Sequence, residues 1–239
     1  AEASPFSDDG GLTFSYPATD AHVDHHDLRF LPNSASQVYS ANDGGLFVSA
    51  DAGNTWTGKN KGLNIGQIYV VGPSGRTAEL NMTGRQDDGT LLQQGTTANS
   101  LAPGDGTNCL IDPTNDSIMY GSIQQGLFAR SVNLGATYAL IAYNWLTGVN
   151  GQSEWVTPFM LDPQNHNTVY IGKDSIYKSV NRGNLWTTLH SPRLGTNVYW
   201  HYMAAAPSNP DYIYACSGTK MVRSVDGGLT FTNIPIAGN

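Results

Sequence analysis

A cluster of histidine and aspartate side chains occurs early in the chain, in the segment AHVDHHDLRF. It contains His22, Asp24, His25, His26 and Asp27. Imidazole and carboxylate groups are common metal ligands, and alternation along a strand would put His22, Asp24 and His26 on one side. Their spacing matches no established metal motif. We therefore expect no metal here, and instead a hydrogen-bonded polar rim of a central channel that contacts a ligand.

Three further carboxylates are candidates for catalysis. Asp43 lies in the segment NDGGL, and Asp87 and Asp88 lie in QDDGT. Glycoside hydrolysis generally uses two carboxyl groups, about 5 Å or about 6.5 to 9.5 Å apart according to the mechanism. We predict that Asp43 can act with Asp87 or Asp88. The alternative is that an Asp before glycine only forms a turn.

Aromatic residues beside polar ones form a third candidate site. A Gly- and Asn-rich connection carries Trp145, and later segments carry Trp155 and Trp200. Flat aromatic faces near polar groups suit sugar rings or peptides. Packing between sheets is the alternative role. With the polar rim, the residues predicted to bind a ligand are His22, Asp24, His26, Trp145, Glu154, Trp155, Tyr199 and Trp200.

An eight-residue pattern, Ser-x-Asp-x-Gly-x-Thr-aromatic, recurs along the chain. The fold that this pattern indicates must position the candidate site residues. Clear copies begin at Ser7, Ser49, Ser131, Ser179 and Ser224, and a degraded copy, LLQQGTTA, begins at residue 91. The starts are roughly 40 to 48 residues apart, which is the length of one four-stranded propeller blade. In each copy the Ser and the Asp or Asn should accept backbone N–H groups of a tight turn. The residues assigned to this structural role are Ser7, Asp9, Ser49, Asp51, Gly53, Trp56, Ser131, Asn133, Ser179, Asn181, Ser224 and Asp226.

This pattern resembles the Asp-box repeats, also called BNR repeats, of sialidases, xyloglucanase-type glycoside hydrolases, sortilin-type receptors and many secreted bacterial proteins. The resemblance implies a β-propeller, but it does not imply an activity, because the boxes are turns that usually lie away from the active site. Residues 20–92 also resemble secreted bacterial BNR-repeat proteins described as glycosidase-like. In addition, Asp43-Gly44-Gly45 resembles a segment of the xyloglucanase-type enzymes, which take their acid and base from two propellers.

The predicted fold is all-β: a β-propeller of four-stranded antiparallel blades in a single domain, residues 1–239. Residues 1–17 are predicted to form a partial blade that lacks its three inner strands. The last repeat already has its own outer strand, so we expect part of a larger propeller; a closed five-bladed ring with a redundant first strand is the alternative. The five complete blades are predicted at residues 22–58, 66–100, 105–142, 153–190 and 198–236.

Strand direction places the candidate site residues. The first and third strands of a blade start at the same end, here called the upper end, and the repeat turns lie at the other, lower end. Loops at the upper end can vary without disturbing the blades. The catalytic candidates belong to the first two complete blades, whereas Trp155 and Trp200 belong to the fourth and fifth. We therefore expect the carboxylates and the aromatic residues on opposite sides of the ring, an arrangement that favours binding over hydrolysis.

Composition narrows the function. A net charge of −7 with only 12 Lys and Arg argues against a nucleic-acid partner, because phosphate binding requires a clustered basic surface. The sequence has no run long and apolar enough to insert into a membrane, and no motif calls for a cofactor. We interpret the chain as a secreted or cell-surface bacterial binding or scaffold module, with glycan as the favoured ligand and protein next. A xyloglucanase-like glycoside hydrolase, or a fragment of one, is the alternative, with the remaining blades on a longer parent chain or a partner chain.

Overall fold

The computed structural model describes residues 7, 9–16, 21–22, 24–62, 66–102, 104–143, 147–191, 194 and 197–235, with backbone only at Ala98, Leu101 and Ala102. The chain divides into two compact units, Ala1–Ile65 and Gly66–Asn239. Across the described ranges, no helix has the length and apolar character needed to cross a membrane. That the chain is one domain with the blade limits given above stays a prediction.

The first unit contains one four-stranded antiparallel sheet whose strands pair in chain order. A two-residue turn at Asp43 and Gly44 joins the second and third strands, where Asn42 pairs with Gly45. Ser49 ends the third strand at the opposite end of the sheet, where it pairs with Val38. The strands are β1 (His25–Phe30), β2 (Val38–Asn42), β3 (Gly45–Ser49) and β4 (Thr57–Gly58).

The second unit contains four sheets of the same kind, each with four antiparallel strands in chain order. The first two are β5 (Ile68–Pro73), β6 (Leu80–Arg85), β7 (Gly89–Gln94) and β8 (Thr97–Ala102), then β9 (Gly106–Asp112), β10 (Asn115–Ile123), β11 (Leu127–Ser131) and β12 (Ala139–Ala142). The other two are β13 (Phe159–Leu161), β14 (Val169–Gly172), β15 (Ile176–Ser179) and β16 (Thr187–Thr188), then β17 (Tyr202–Ala206), β18 (Asn209–Cys216), β19 (Met221–Ser224) and β20 (Thr232–Ile234). The short 3-10 turn Gln124–Gly126 joins β10 to β11.

Apolar side chains from consecutive sheets of the second unit pack into three clusters. The largest combines residues of β9–β12 with residues of β13–β15, and in it the Phe159 ring stacks on Phe128 at 4.9 Å between ring centroids. Tyr120 packs against the same Phe159 ring at 5.0 Å. Offset or tilted aromatic pairs of this kind stabilise a core beyond the area that they bury.

Close approach of two inner strands requires glycine. A Cβ atom on Gly84 would lie 1.8 Å from the carbonyl oxygen of Thr107, far inside van der Waals contact. Only a residue without a side chain can stand there while β6 and β9 keep this spacing. The backbone that precedes the Asp87 turn and the backbone that follows Asp105 are therefore held close together.

Candidate functional site

The described residues of the His-Asp cluster in the first unit form several contacting pairs. The Nδ1 atom of His22 lies 3.6 Å from Oδ2 of Asp24, whereas Nε2 of His26 contacts Oδ1 of Asp43. His25 shares a 2.7 Å hydrogen bond with the Ser40 hydroxyl. Partial burial lowers the pKa of His25, and the nearby His22 lowers it further. The polar rim and the absence of a metal both stay predictions.

The structure shows a contact for the carboxylates of Asp43 and Asp88, and a backbone hydrogen bond for Asp87. Asp43, whose side chain is 17% exposed, is engaged by His26. Asp88 Oδ2 lies 3.5 Å from the Arg85 guanidinium. Asp87 has the left-handed backbone conformation, φ 61°, and its N–H donates to Oδ1 of Asp105 at 2.9 Å. Because Asp43 belongs to the first unit and Asp87 to the second, their action as a pair stays a prediction.

Asp105 connects the Asp87 turn to the aromatic residues. It is only 8% exposed, and its second oxygen, Oδ2, accepts from the Trp155 indole N–H at 3.1 Å. The Asp105 backbone N–H donates to the Gln124 side chain, and its carbonyl accepts from the Gln124 N–H. The sequence predicts that the carboxylates and the aromatic residues lie on opposite sides of the ring. For Asp87 and Trp155 this prediction is wrong, because the Asp87 backbone N–H and the Trp155 indole N–H donate to the same Asp105 carboxylate.

Trp155 is exposed and yet fixed. Its side chain is 44% exposed, its indole N–H is held by Asp105, and its backbone carbonyl accepts from the Gln125 N–H at 3.2 Å. An aromatic ring that is already immobilised loses little conformational entropy when a ligand stacks on it. The orientation of Trp155 is thus set before any ligand arrives.

A carboxylate–imidazole pair stands next to this indole. Oε1 of Glu154 lies 2.8 Å from Nε2 of His201, and the two side chains are 36% and 39% exposed. A carboxylate and an imidazole at hydrogen-bond distance supply both acceptor and donor atoms to a bound molecule. The pair can therefore orient hydroxyl groups beside the Trp155 ring.

These residues line one cleft of about 480 Å³, here called the upper cleft. It opens where β5, β13 and β17 begin, which is the upper end predicted for a binding site. Tyr202 contributes a ring that is 73% exposed, and Tyr69 donates its hydroxyl hydrogen bond to Gln86 Oε1 at 2.9 Å. The upper cleft is lined by Tyr69, Val70, Glu154, Trp155, Val156, His201 and Tyr202. Its size and its mixture of aromatic and polar groups are typical of sites for small organic ligands.

The other aromatic candidates have different positions. Trp200 is wholly buried, at 0% exposure, in a core cluster with Ile176, Ala215 and Val222, so a ligand cannot reach it. The prediction that Trp200 binds a ligand is therefore wrong, and the alternative of packing between sheets applies. Tyr199 is half-buried and donates to Gln152 Oε1 at 2.9 Å. Trp145 lies outside the described residues.

The lower-end turns repeat one hydrogen-bond arrangement. In the copy that starts at Ser49, the hydroxyl donates to Asp51 Oδ1 at 2.7 Å and accepts from the Gly53 N–H at 2.8 Å. Oδ1 of Asp51 also accepts from the Thr55 N–H, at 2.8 Å. The same Ser-to-carboxylate or Ser-to-amide hydrogen bond occurs in the copies that begin at Ser7, Ser131, Ser179 and Ser224.

The degraded copy folds differently. Where the sequence has lost the Ser and Asp, Gln94 of β7 pairs directly with Thr97 of β8 across a two-residue turn. Gly95 has φ 57° there, and its N–H donates to Glu79 O at 3.2 Å. A tight hairpin thus pairs the backbone hydrogen-bonding groups that the Ser and Asp side chains pair in the other copies.

Sequence reasoning missed Asp105 and the Glu154–His201 pair. Asp105 stands in a Gly-Asp-Gly segment that is typical of an ordinary turn, so nothing marked it as the partner of Trp155. His201 is adjacent to predicted ligand-binding residues, but its contact with Glu154 spans a sequence separation of 47 residues. That contact depends on how the sheets pack and has no local signal.

No protein-family model and no curated protein matches this chain. Among solved structures, an ancestral GH74 enzyme matches with 18% identity and a TM-score of 0.57, over 88% of this chain and 31% of that one. The GH74 xyloglucanase from Xanthomonas campestris matches with 14% identity and a TM-score of 0.55, over 89% of this chain and 38% of that one. The extracellular domain of a one-component system from B. thetaiotaomicron matches with 11% identity and a TM-score of 0.55, over 89% of this chain and 28% of that one.

This chain spans about a third of the length of the two GH74 chains that it matches. At such low sequence identity, the similarity shows the fold and not the activity. Five four-stranded antiparallel sheets and these structural neighbours together show an all-β, multi-blade β-propeller, which confirms the predicted fold class.

Proposed function

We propose that this chain is a glycan-binding propeller module that acts outside the cell, secreted or at the cell surface, and that the upper cleft is its binding site. The observation that carries the proposal is the exposed Trp155 ring, fixed by Asp105 and flanked by the Glu154–His201 pair. A sugar ring has apolar C–H faces and polar hydroxyl edges. A flat indole beside a hydrogen-bonding pair complements both.

Two wider proposals accompany this one. The turn geometry, with Ser and Asp or Asn side chains accepting backbone N–H groups, supports membership of the Asp-box family. The share of the GH74 chains that this chain spans supports a larger propeller, whose remaining blades belong to a longer parent chain or a partner chain. A xyloglucanase and an extracellular domain are among the solved structures that this chain resembles, and they support a glycan-related role outside the cell.

Glycoside hydrolysis is the second candidate, because Glu154 places a carboxylate in the same cleft as Trp155. Hydrolysis generally requires two carboxyl groups at the scissile bond. Among the described residues that line the upper cleft, Glu154 alone carries a carboxylate, and His201 already engages it. Asp105 is largely buried and holds two N–H donors. Binding is therefore the better-supported function, and a protein ligand ranks after glycan.

The test is retention on immobilised glycans. The wild-type chain is applied to a panel that includes β-glucan, xyloglucan and sialosides, together with Trp155→Ala and the control Tyr212→Ala. Tyr212 is 37% exposed and does not line the upper cleft. We expect at least one glycan to retain the wild type and the control, with about tenfold or greater loss of affinity in Trp155→Ala. Equal retention of all three proteins, or of none, would contradict the proposal.

The same panel separates binding from hydrolysis. Release of new reducing ends is measured for the wild type and for Glu154→Gln. We expect no turnover by either protein. Turnover by the wild type that disappears in Glu154→Gln would replace the binding proposal with the hydrolase.

A further inference from the structure

A second concave surface of the second unit includes residues of a lower-end turn and shares no lining residue with the upper cleft. It is a groove of about 470 Å³ between β12 and the turn that precedes β16. Arg130, Leu140, Ile141, Asn184, Leu185 and Trp186 are among its lining residues. It is here called the lower groove.

The charge of Arg130 is not neutralised within the described part of the chain. Its guanidinium donates to the Arg182 carbonyl at 2.5 Å and to Asn184 Oδ1 at 3.0 Å, and both acceptors are uncharged. The ion pairs found among the described residues include neither Arg130 nor Arg182. Yet the chain has 19 acidic residues for 12 basic ones. A partly buried cation in an acidic protein normally has an anionic partner.

Several donors around Arg130 also lack acceptors. The Nε atoms of Arg130 and Arg182 and the Tyr120 hydroxyl are shielded from solvent and have no hydrogen-bond partner within the described ranges. Burial raises the pKa of Tyr120 to about 12, while the positive charges of Arg130 and Arg182 oppose that increase. Both guanidinium groups therefore lie near enough to act on one buried hydroxyl. Of these three residues, Arg130 is the one that lines the lower groove.

The carboxylate whose charge acts on Tyr120 is already occupied. Asp112 is 1% exposed, and its Oδ1 contacts His166 Nδ1 and the Thr114 N–H at 2.8 and 2.9 Å. Its charge raises the pKa of Tyr120, against the effect of the two arginines. The Asp112 carboxylate thus accepts the Thr114 N–H of its own turn and contacts His166, and it forms no ion pair with Arg130.

The lower groove is also lined by exposed apolar side chains. The side chains of Leu140 and Leu185 are 55% and 73% exposed. The Trp186 indole N–H donates to the Ile141 carbonyl at 2.7 Å, which fixes the ring in the wall. A cation and an apolar wall in one groove complement a molecule that has a carboxylate at one end and an aliphatic skeleton at the other.

We propose that the lower groove binds a small monocarboxylate with an apolar skeleton. The carboxylate pairs with the Arg130 guanidinium, and the skeleton packs on Leu140, Leu185 and Trp186. An arginine whose present acceptors are neutral gains a charge-assisted hydrogen bond from such a ligand. Binding is expected to be weak, with a Kd of about 1 mM for a ligand of this size.

The test uses 4-methylvalerate as the probe and the uncharged 4-methylvaleramide as its matched analogue. The Nε–H signals of the seven arginine side chains are followed by NMR while each compound is added at constant ionic strength. We expect the Arg130 signal to shift saturably with the carboxylate, and to shift at least about tenfold less readily with the amide. Equal response to both compounds, or no saturable shift of Arg130, would overturn the proposal.

Two variants control for general effects of charge. Arg130→Gln should lose saturable binding of 4-methylvalerate, whereas Arg223→Gln, which removes an exposed arginine of β19, should retain it. Leu185→Ser tests the apolar wall, and because Leu185 is 73% exposed this variant should fold. We expect weaker binding in Leu185→Ser, and unchanged binding in that variant would contradict the assigned wall.

Discussion

Carboxylate side chains occur both in the upper cleft and in the lower-end turns, but they differ in how completely neighbouring residues satisfy their hydrogen bonds. In the turns, the Asp51 carboxylate accepts hydrogen bonds from its own segment at both oxygens, through Oδ1 from Ser49 and Thr55 and through Oδ2 from the Thr55 hydroxyl. In the upper cleft, Glu154 contacts His201 and keeps a solvent-exposed side chain. The comparison teaches that hydrogen-bond saturation by neighbouring residues of the same turn marks a structural carboxylate, whereas incomplete local satisfaction marks one that can serve a ligand.

The largest effect that we expect is on glycan binding in the upper cleft. Trp155→Ala should weaken glycan binding by about ten- to a hundredfold, because it removes the stacking surface, and should leave the turns unchanged. The affinity is measured by titration calorimetry with the glycan that retains the wild type. Tyr212→Ala serves as the control, and an equal loss in that variant would show that exposed aromatic residues matter wherever they lie.

A second variant tests the support of Trp155. Asp105→Asn keeps the size of the side chain but turns one acceptor into a donor, which then faces the N–H of Trp155 or of Asp87. We expect a loss of about 1–3 kcal/mol in the free energy of unfolding, together with weaker glycan binding. Denaturant unfolding and calorimetry measure the two effects. Asp88→Asn, at an exposed ion pair, should change neither by a comparable amount.

The turns should respond in stability and not in binding. Ser224 is 1% exposed and accepts from the Gly228 N–H at 2.8 Å, so Ser224→Ala leaves that N–H without its acceptor. We expect the free energy of unfolding to fall by about 1–2 kcal/mol with glycan affinity unchanged. Ser208→Ala, at an exposed position, is the matched control. A loss of glycan affinity in Ser224→Ala would contradict the conclusion that the turns contribute to stability and not to binding.

The smallest expected effect concerns pH. Hydrogen bonds from Thr55 and Thr230 lower the pKa values of Asp51 and Asp226 from 3.8 to about 2. A folded-state pKa below the unfolded value stabilises the fold above the unfolded pKa, and this contribution is lost as the pH falls from about 4 to about 2. The double variant Asp51→Asn, Asp226→Asn should therefore lose less stability on acidification than the wild type.

Urea unfolding at about pH 5 and at about pH 2.5 measures this difference. The turns at Asn133 and Asn181 show that an amide oxygen can accept the same backbone N–H groups, so the double variant should fold. An identical loss of stability in the wild type and the double variant would mean that these carboxylates do not contribute to acid sensitivity.

The fold could be predicted because its signals are local. The Ser-x-Asp-x-Gly turn closes within eight residues, and the period of that turn gives the length of a sheet. The upper cleft could be predicted only in part. Trp155 and Glu154 were identified from their place in a polar, aromatic segment. Trp200 has the same kind of neighbours in sequence and is buried, since burial depends on packing between sheets.

Contacts between distant segments account for the rest. The two oxygens of Asp105 join Asp87 and Trp155, which are 18 and 50 residues away along the chain. A single sequence contains no mark of such pairings, because each requires the relative position of two sheets. The position of the lower groove, between β12 and a neighbouring turn, has the same origin.

The central claim is that a glycan stacks on Trp155, and NMR of the indole N–H groups tests it most directly. The chain has five tryptophans, and therefore five indole N–H signals that can be followed while the glycan identified on the panel is added. We expect the Trp155 signal to shift saturably, with the Kd found by calorimetry, while the signal of the buried Trp200 stays in place. Saturable glycan binding that leaves the Trp155 signal unmoved would contradict the account.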